Sequence, residues 1–271
     1  MCLALLACLV NPPCLYAGAW TQNPGHGQVI VTTSFFQTSQ NFDASGTAQK
    51  FGNQGRFHQF VVDSYFELGL TRRSTLVLHV PAPFLDYSNV YGAQHSAGLG
   101  DVEIGFKRRF NSVESSWAAS GQLTVAAPAY SALRDPSPGN HQEDLEARFL
   151  LGHGTAWSQH HVFWDAEAAY RYRSGAPADQ FRADLTAGID LMTRLMVMGQ
   201  AFVIQGLRNG EPLSASSNPN AQSDFDLYKG QISLVLNIGH GMKVQAGWND
   251  AFAGRNTGRG QTVILGLWKS F

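Results

Sequence analysis

Cysteine and long apolar runs are scarce in this chain of 271 residues. Its three cysteines are Cys2, Cys8 and Cys14, so the rest of the chain has no thiolates with which to bind a metal. The apolar run at residues 3–10 is eight residues long, whereas a membrane-spanning helix needs about 20. These absences exclude a thiolate metal site in the body of the protein and predict that no transmembrane helix is present.

The chain also lacks an excess of charge of either sign. Its 19 basic side chains oppose 20 acidic ones, which argues against nucleic acid as a partner, because nucleic-acid binding calls for a strong basic excess. Charged residues make up only 14% of the chain, which contains 28 glycines and 11% aromatic residues. Half-buried strands and tight turns use such a composition. No phosphate-binding loop or nucleophile elbow is present, so we expect no cofactor and no enzymatic activity.

The beginning of the chain has the features of a cleaved leader. The short apolar run is followed by Ala-Gly-Ala at residues 17–19, small residues of the kind that signal peptidases accept. We therefore predict a signal peptide over residues 1–19 and one mature domain over residues 20–271. A second interpretation takes the residues leading to Cys8 as a lipoprotein signal.

After the leader, apolar and polar residues alternate in segment after segment. In residues 100–107, Val102, Ile104 and Phe106 fall on one face of a strand and the charged residues fall on the other. A helix would spread these charges around its cylinder. We predict about twelve strands of this kind, at residues 28–38, 56–70, 74–85, 99–110, 116–127, 143–153, 160–173, 181–191, 194–206, 224–238, 242–252 and 260–271.

The connections between these strands are short and long in strict turn. Outer-membrane barrels show this order, with short turns in the periplasm and long loops outside the cell. We therefore predict an all-β fold, a transmembrane antiparallel β-barrel of about twelve strands that follows a cleaved N-terminal signal peptide. The predicted location is the bacterial outer membrane.

Lipid forces such a sheet to close, because it offers no partner for an exposed backbone N–H or C=O. We expect the first strand to pair with the last, with Val263, Leu265, Leu267 and Phe271 facing lipid. The expected partners are the lipid bilayer, lipopolysaccharide and, through the terminal aromatic residue Phe271, the barrel-assembly machinery.

Charged side chains recur at the positions that would face the barrel lumen. The candidates for lining it are Asp63, Glu67, Asp101, Glu103, Lys107, Arg109, Glu146, Arg148, Asp165, Glu167, Arg171, Asp184, Lys229 and Lys243. One interpretation is a hydrated network of salt bridges that fills a narrow barrel. The other is a polar conduit or a groove for a substrate. Both signs of charge are present, so strong ion selectivity is not predicted.

The nine histidines raise the possibility of a metal site or of a barrel lipase. His160 and His161 are adjacent and point to opposite faces of a strand, which makes them poor joint ligands. His58 and Ser64 share a face, but their separation of about 20 Å along the strand excludes direct contact. His79 is the most interior histidine. We predict no metal site and no catalytic residue, with an outer-membrane lipolytic enzyme as a less favoured alternative.

Two stretches resemble known families. Leu-Val-Leu-His-Val-Pro-Ala-Pro at residues 76–83, followed by the glycine-bracketed Asp101 in residues 96–107, resembles the outer-membrane family named after a "MetA pathway of phenol degradation". That resemblance implies a transporter-like barrel, a channel for small hydrophobic or aromatic solutes. Residues 18–28 are similar to small surface proteins encoded beside polysaccharide-synthesis genes, which implies a non-enzymatic role in a polysaccharide or biofilm system.

Overall fold

The computed structural model describes residues 18–131, 134–211 and 216–271, so most of the predicted signal peptide lies outside the described residues. These residues form a single antiparallel sheet that closes on itself. The strands are β1 (Gly27–Phe42), β2 (Ala48–Lys50), β3 (Arg56–Thr71), β4 (Ser74–Asn89), β5 (Gly92–Ala97), β6 (Asp101–Arg109), β7 (Trp117–Pro128), β8 (Asp144–Trp157), β9 (His160–Arg173), β10 (Gln180–Met192), β11 (Leu195–Gly206), β12 (Asp226–Gly239), β13 (Met242–Arg255) and β14 (Thr257–Ser270). A 3-10 turn spans Gly52–Gln54.

Twelve of these strands form the barrel wall, which confirms the predicted all-β, antiparallel barrel of about twelve strands. Strands β2 and β5 are short and only extend the loops, since β2 pairs with the end of β1 and β5 pairs with the end of β4. Each wall strand pairs with the next wall strand along the chain, so β4 pairs with β6 beyond β5. The described residues contain no helix that is long and apolar enough to span a membrane.

The barrel is closed by the pairing that the sequence predicts between its first and last strands. Ile30 of β1 lies opposite Trp268 of β14, and Phe35 lies opposite Val263. This pairing satisfies the two edges that an open sheet would expose to lipid. The register shifts between Gln37 and Gln40, where β1 carries a bulge near its long-loop end.

Several strands extend further than the alternation predicts. At the long-loop end, β4 reaches Asn89 because Asp86 and its neighbours pair with His95 and its neighbours in β5. At the opposite end, β8 and β9 continue to Trp157 and His160 around a two-residue turn. Ser158 in that turn has a φ of 57°, the left-handed geometry that such hairpin turns require. The predicted turn at residues 154–159 is therefore too long.

Alternate residues of each wall strand face opposite sides, and this alternation creates the lumen. In β14, Val263, Leu265 and Leu267 lie on the exposed outer face, as predicted, whereas Ile264 and Trp268 are buried inside the barrel. Outer-membrane barrels show the same alternation, with an apolar surface toward lipid and a different set of side chains toward the lumen.

Candidate functional site: the barrel lumen

The residues before the first strand run into the lumen from the short-turn end of the barrel. We call residues 18–26 the N-terminal segment. At the rim, the Gly25 N–H donates to the Gly69 carbonyl oxygen at 2.9 Å, and the Gly69 N–H donates to the His26 carbonyl oxygen at 2.9 Å. Further in, the Gln22 N–H donates to Thr75 Oγ1 at 2.9 Å. The segment therefore occupies the end of the lumen that is periplasmic in outer-membrane barrels.

The innermost residues of this segment make three hydrogen bonds with inward-facing side chains. Lys107 Nζ donates to the Gly18 carbonyl oxygen at 2.7 Å, and Ser120 Oγ donates to the Ala19 carbonyl oxygen at 2.5 Å. The Ala19 N–H donates to Asp165 Oδ2 at 2.8 Å. Ala19 is completely buried. These bonds fix the main chain of the segment against β6, β7 and β9.

Trp20 fills the space beside this anchor with an aromatic ring. It meets Phe163 edge-on, with ring centroids 6.5 Å apart and an interplanar angle of 78°. A Cβ on Gly152 would lie 2.6 Å from the Trp20 ring, so only glycine leaves room for the indole at this position. The ring also packs against the buried side chains of Ala118 and Leu150.

A buried ion pair ties the segment to the barrel wall. Lys107 Nζ lies 2.6 Å from Glu67 Oε1, and both side chains are almost fully buried. The same carboxylate accepts hydrogen bonds from Tyr65 Oη at 2.7 Å and from Gln22 Nε2 at 2.8 Å. Glu67 is thus held by one cation and two neutral donors, as a buried carboxylate requires.

Above the segment, charged side chains of β3, β4, β6 and β8–β10 form a continuous network that we call the charged wall. Arg148 reaches Glu146 at 2.8 Å and Asp184 at 2.5 Å, and it also contacts Glu167. Arg171 reaches Glu103 at 2.6 Å and Glu146 at 2.8 Å. Each arginine therefore bridges carboxylates that extend from different strands into the lumen.

His79 belongs to the charged wall and lies between two carboxylates. Its Nε2 is 2.5 Å from Asp63 Oδ1 and its Nδ1 is 3.4 Å from Glu103 Oε2. His58 and Ser64 lie on the outer face of β3, so neither contributes to this cluster. Among the described residues, no group of three or more His, Cys, Asp or Glu side chains has the geometry to hold a metal ion.

The remaining candidates for lining the lumen lie at its two ends or on its other side. Arg109 donates to the Trp117 carbonyl oxygen at 2.7 Å, next to a short turn. Asp101 accepts from the Asn140 N–H at 3.3 Å, at the long-loop end. Lys229 and Lys243 lie over aromatic rings, those of Phe202 at 5.3 Å and Trp268 at 5.6 Å. The structure therefore does not bring these four into the charged wall.

Apart from Lys229 and Lys243, the opposite side of the lumen, from β11 through β14 to β1, carries mostly apolar, hydroxyl and amide side chains, and we call it the uncharged wall. It borders two adjoining cavities of about 370 Å³ and 350 Å³. The residues common to both cavities are Thr32, Phe202, Gln231 and Ile264. Cavities of this size suit a small organic molecule.

The long loops meet across the other end of the lumen. The Asp135 carboxylate accepts hydrogen bonds from Ser216 Oγ at 3.1 Å and from the Ser217 N–H at 2.9 Å, which joins the loop after β7 to the loop after β11. Asn220 Nδ2 donates to Gln59 Oε1 at 3.0 Å, inside the lumen. We call these joined loops the extracellular cap.

A second contact stabilises the cap near β9 and β10. Asp179 accepts from the Arg173 N–H at 2.8 Å, from Tyr170 Oη at 2.7 Å and from Asn209 Nδ2 at 2.7 Å. Burial favours the neutral acid, but these hydrogen bonds favour the carboxylate more strongly and hold the pKa of Asp179 below its ordinary value.

Sequence reasoning missed the residues that seat the N-terminal segment. Gln22, Thr75 and Ser120 carry no charge, and Gly18 and Ala19 were predicted to belong to the leader. The signal present in the sequence is the interval between the leader and β1, where Trp20 stands among polar residues without strand alternation. An irregular stretch of this kind, next to a barrel strand, must be placed either in the lumen or in the periplasm.

Comparison with known proteins identifies the fold. No protein-family model matches the chain, and no curated protein is detectably similar in sequence. The barrel is similar to an outer membrane channel from Pseudomonas putida F1, with a TM-score of 0.66 and 13% identity, covering 94% of this chain and 99% of that one. It is also similar to the translocator domain of autotransporter NalP from Neisseria meningitidis, with a TM-score of 0.50 and 10% identity, covering 92% and 90% of the two chains. At these identities the likeness establishes the fold of an outer-membrane β-barrel.

Proposed function

We propose that the protein is an outer-membrane channel for small, predominantly apolar solutes, and that the two adjoining cavities are where a solute binds on its way through. The observation that carries this proposal is the cavity pair itself, enclosed between the N-terminal segment and the extracellular cap. Its position inside the barrel puts it on the route between the two ends of the lumen.

The chemistry of the two walls supports an uncharged solute. In the charged wall, Arg148 and Arg171 are already engaged by carboxylates at hydrogen-bonding distance. A charged solute that bound to the charged wall would have to displace one of these partners and leave it buried without a counter-ion, which is costly. The uncharged wall instead offers Phe202 and Ile264 for apolar contact and Gln231 for a hydrogen bond. A solute with an apolar body and few polar groups fits this lining.

The N-terminal segment must shift for a solute to leave toward the periplasm. It lies across the short-turn end of the lumen, held by Glu67, Lys107 and Asp165. We therefore propose a channel that is closed at rest and opens when this segment undocks. The predicted outer-membrane location and export belong to the same proposal.

The test compares Thr32→Trp with Thr33→Trp in cells whose outer membrane carries the protein. Thr32 borders both cavities, whereas Thr33 is its neighbour on the outer face of the same strand. The probe is N-phenyl-1-naphthylamine, an uncharged aromatic amine that becomes fluorescent in the cell envelope. We expect the native protein to speed its uptake, Thr32→Trp to abolish the gain, and Thr33→Trp to leave it unchanged.

Two results would contradict the proposal. Uptake that is no faster with the inserted native protein than in cells lacking it would exclude a channel for this class of solute. Equal uptake by both tryptophan variants would show that the probe does not pass through the cavities. Heat-modifiable migration on gels serves as the folding control for each variant.

A further inference from the structure

We propose that the mature chain begins at Gly18, and that its α-ammonium group is bound inside the lumen by the carboxylate of Asp165. The signal peptidase would hydrolyse the Ala17–Gly18 peptide bond, with water supplying one oxygen of the new carboxylate of Ala17 and a proton for the new amino group of Gly18. The amino terminus would then serve as an ionic anchor for the N-terminal segment. This inference concerns processing and does not depend on what the barrel transports.

The first observation is that Gly18 and Ala19 are integral to the packed lumen. Their two carbonyl oxygens accept from Lys107 and Ser120, and the Ala19 N–H donates to Asp165. Cleavage after Ala19, as the small residues at 17–19 suggest, would remove all three of these partners. Buried polar groups that lose a partner destabilise a fold, so these contacts favour a mature chain that retains both residues.

The second observation is the electrostatic situation of Asp165. Its side chain is only 3% exposed, and none of the ion pairs formed between described residues includes it. Glu167, two residues further along the same inward face, is paired with Arg148. A nearby cation would stabilise the charged form of a buried carboxylate that lies beside a second carboxylate. An ammonium group at the amino terminus would provide this cation.

The third observation is how closely Gly18 approaches this carboxylate. A Cβ built on Gly18 would lie 2.6 Å from Asp165 Cγ and 2.7 Å from each carboxylate oxygen. Glycine is therefore required at this position. The α-nitrogen of Gly18 is bonded to the same Cα, so a charge placed on it acts at short range on the carboxylate.

The fourth observation is the space beyond Gly18. This residue borders the cavity of about 350 Å³, whereas Trp20, Thr21 and Asn23 border the periplasmic side of the segment. Gly18 therefore meets open space at the inner end of the segment, as a new amino terminus would, and Ala17 is a small residue of the kind that signal peptidases accept next to the cut.

The direct test is the intact mass and N-terminal sequencing of the full-length protein after expression and purification from outer membranes. A chain that starts at Gly18 supports the proposal. A chain that starts at Trp20, which is lighter by one glycine and one alanine residue, would overturn it. A chain that retains Ala17 or earlier residues would overturn it as well.

A second test asks whether Asp165 holds the new amino group. The folded protein is treated with an acetylating reagent at neutral pH, and acetylation of the N-terminal peptide is followed by mass spectrometry. We expect the α-amino group of Asp165→Asn to be acetylated at least about tenfold faster than that of the native protein, because the variant lacks the ion pair that protects the amino group from the reagent. Asp190→Asn, which alters a carboxylate that borders the periplasmic mouth, should react like the native protein. Equal rates in the native protein and Asp165→Asn would refute the anchoring role.

Discussion

The hydrogen bond from Gln22 to Glu67 offers a sharp test of whether the N-terminal segment closes the lumen. Gln22 Nε2 donates to Glu67 Oε2 at 2.8 Å, and both side chains are buried. Gln22→Ala removes the donor and leaves the rest of the segment in place. Glu67 keeps its bond to Lys107, so the barrel wall itself loses no ion pair.

The size of the effect follows from the charge on the acceptor. A hydrogen bond to a charged group contributes about 1.5–3 kcal/mol, and this bond exists only when the segment is docked. Its loss should therefore raise the ratio of undocked to docked segment by roughly 10- to 150-fold. The matched control is Asn23→Ala, because Asn23 is the next residue, has the same functional group and is exposed.

Single-channel recording in planar bilayers measures this ratio as open time against closed time. We expect Gln22→Ala to increase the open-to-closed ratio by one to two orders of magnitude and Asn23→Ala to change it little. If both variants behaved like the native protein, the segment would not be what closes the channel. If both opened it equally, the bond to Glu67 would not be what holds the segment.

Two further variants test the anchor and the ring beside it. Lys107→Met should lower the free energy of unfolding in urea by about 3–5 kcal/mol, because it leaves Glu67 buried without its cation. Adding Glu67→Gln should restore much of this loss. An unchanged unfolding midpoint in Lys107→Met would contradict the reasoning. Gly152→Ala should displace the Trp20 ring and destabilise the docked segment by about 1–3 kcal/mol, which raises the fraction of open channels. Gly199→Ala, whose Cβ would meet nothing within 4 Å, is its control and should not change the fraction.

The sequence predicts the wall of the barrel well because lipid and water act on every strand in the same way. Alternation alone places Val263, Leu265 and Leu267 outside, and closure of the sheet follows from the backbone's need for hydrogen bonds. Strand ends are less predictable. Asp86 and His95 pair in a hairpin beyond the membrane, where no change in hydrophobicity marks the end of a strand.

The interior is harder to predict because its contacts join residues that are distant in sequence. The alternation of side chains along each strand predicts that Glu67, Lys107 and Asp165 all face the lumen, but it does not show that a main-chain segment lies between them. That arrangement depends on Gly18 and Gly152, where the absence of a side chain makes room. A missing side chain has no hydrophobic or charged pattern, so periodicity cannot reveal it.

The way in which the N-terminal segment is bound indicates what else the lumen can bind. Its hydrogen-bonding edge meets the charged side of the barrel through Glu67 and Lys107, while Trp20 packs against the buried cluster that contains Phe163 and Trp268. The protein thus seats one aromatic ring of its own between a polar and an apolar surface. The two cavities above the segment continue between the same two walls, since one of them is lined by Phe163, Trp268 and Glu167 together. In these cavities, an aromatic solute with a polar edge would contact the same kinds of side chain that Trp20 contacts in the N-terminal segment. This similarity is the strongest physical reason to expect this class of solute rather than an ion or a sugar.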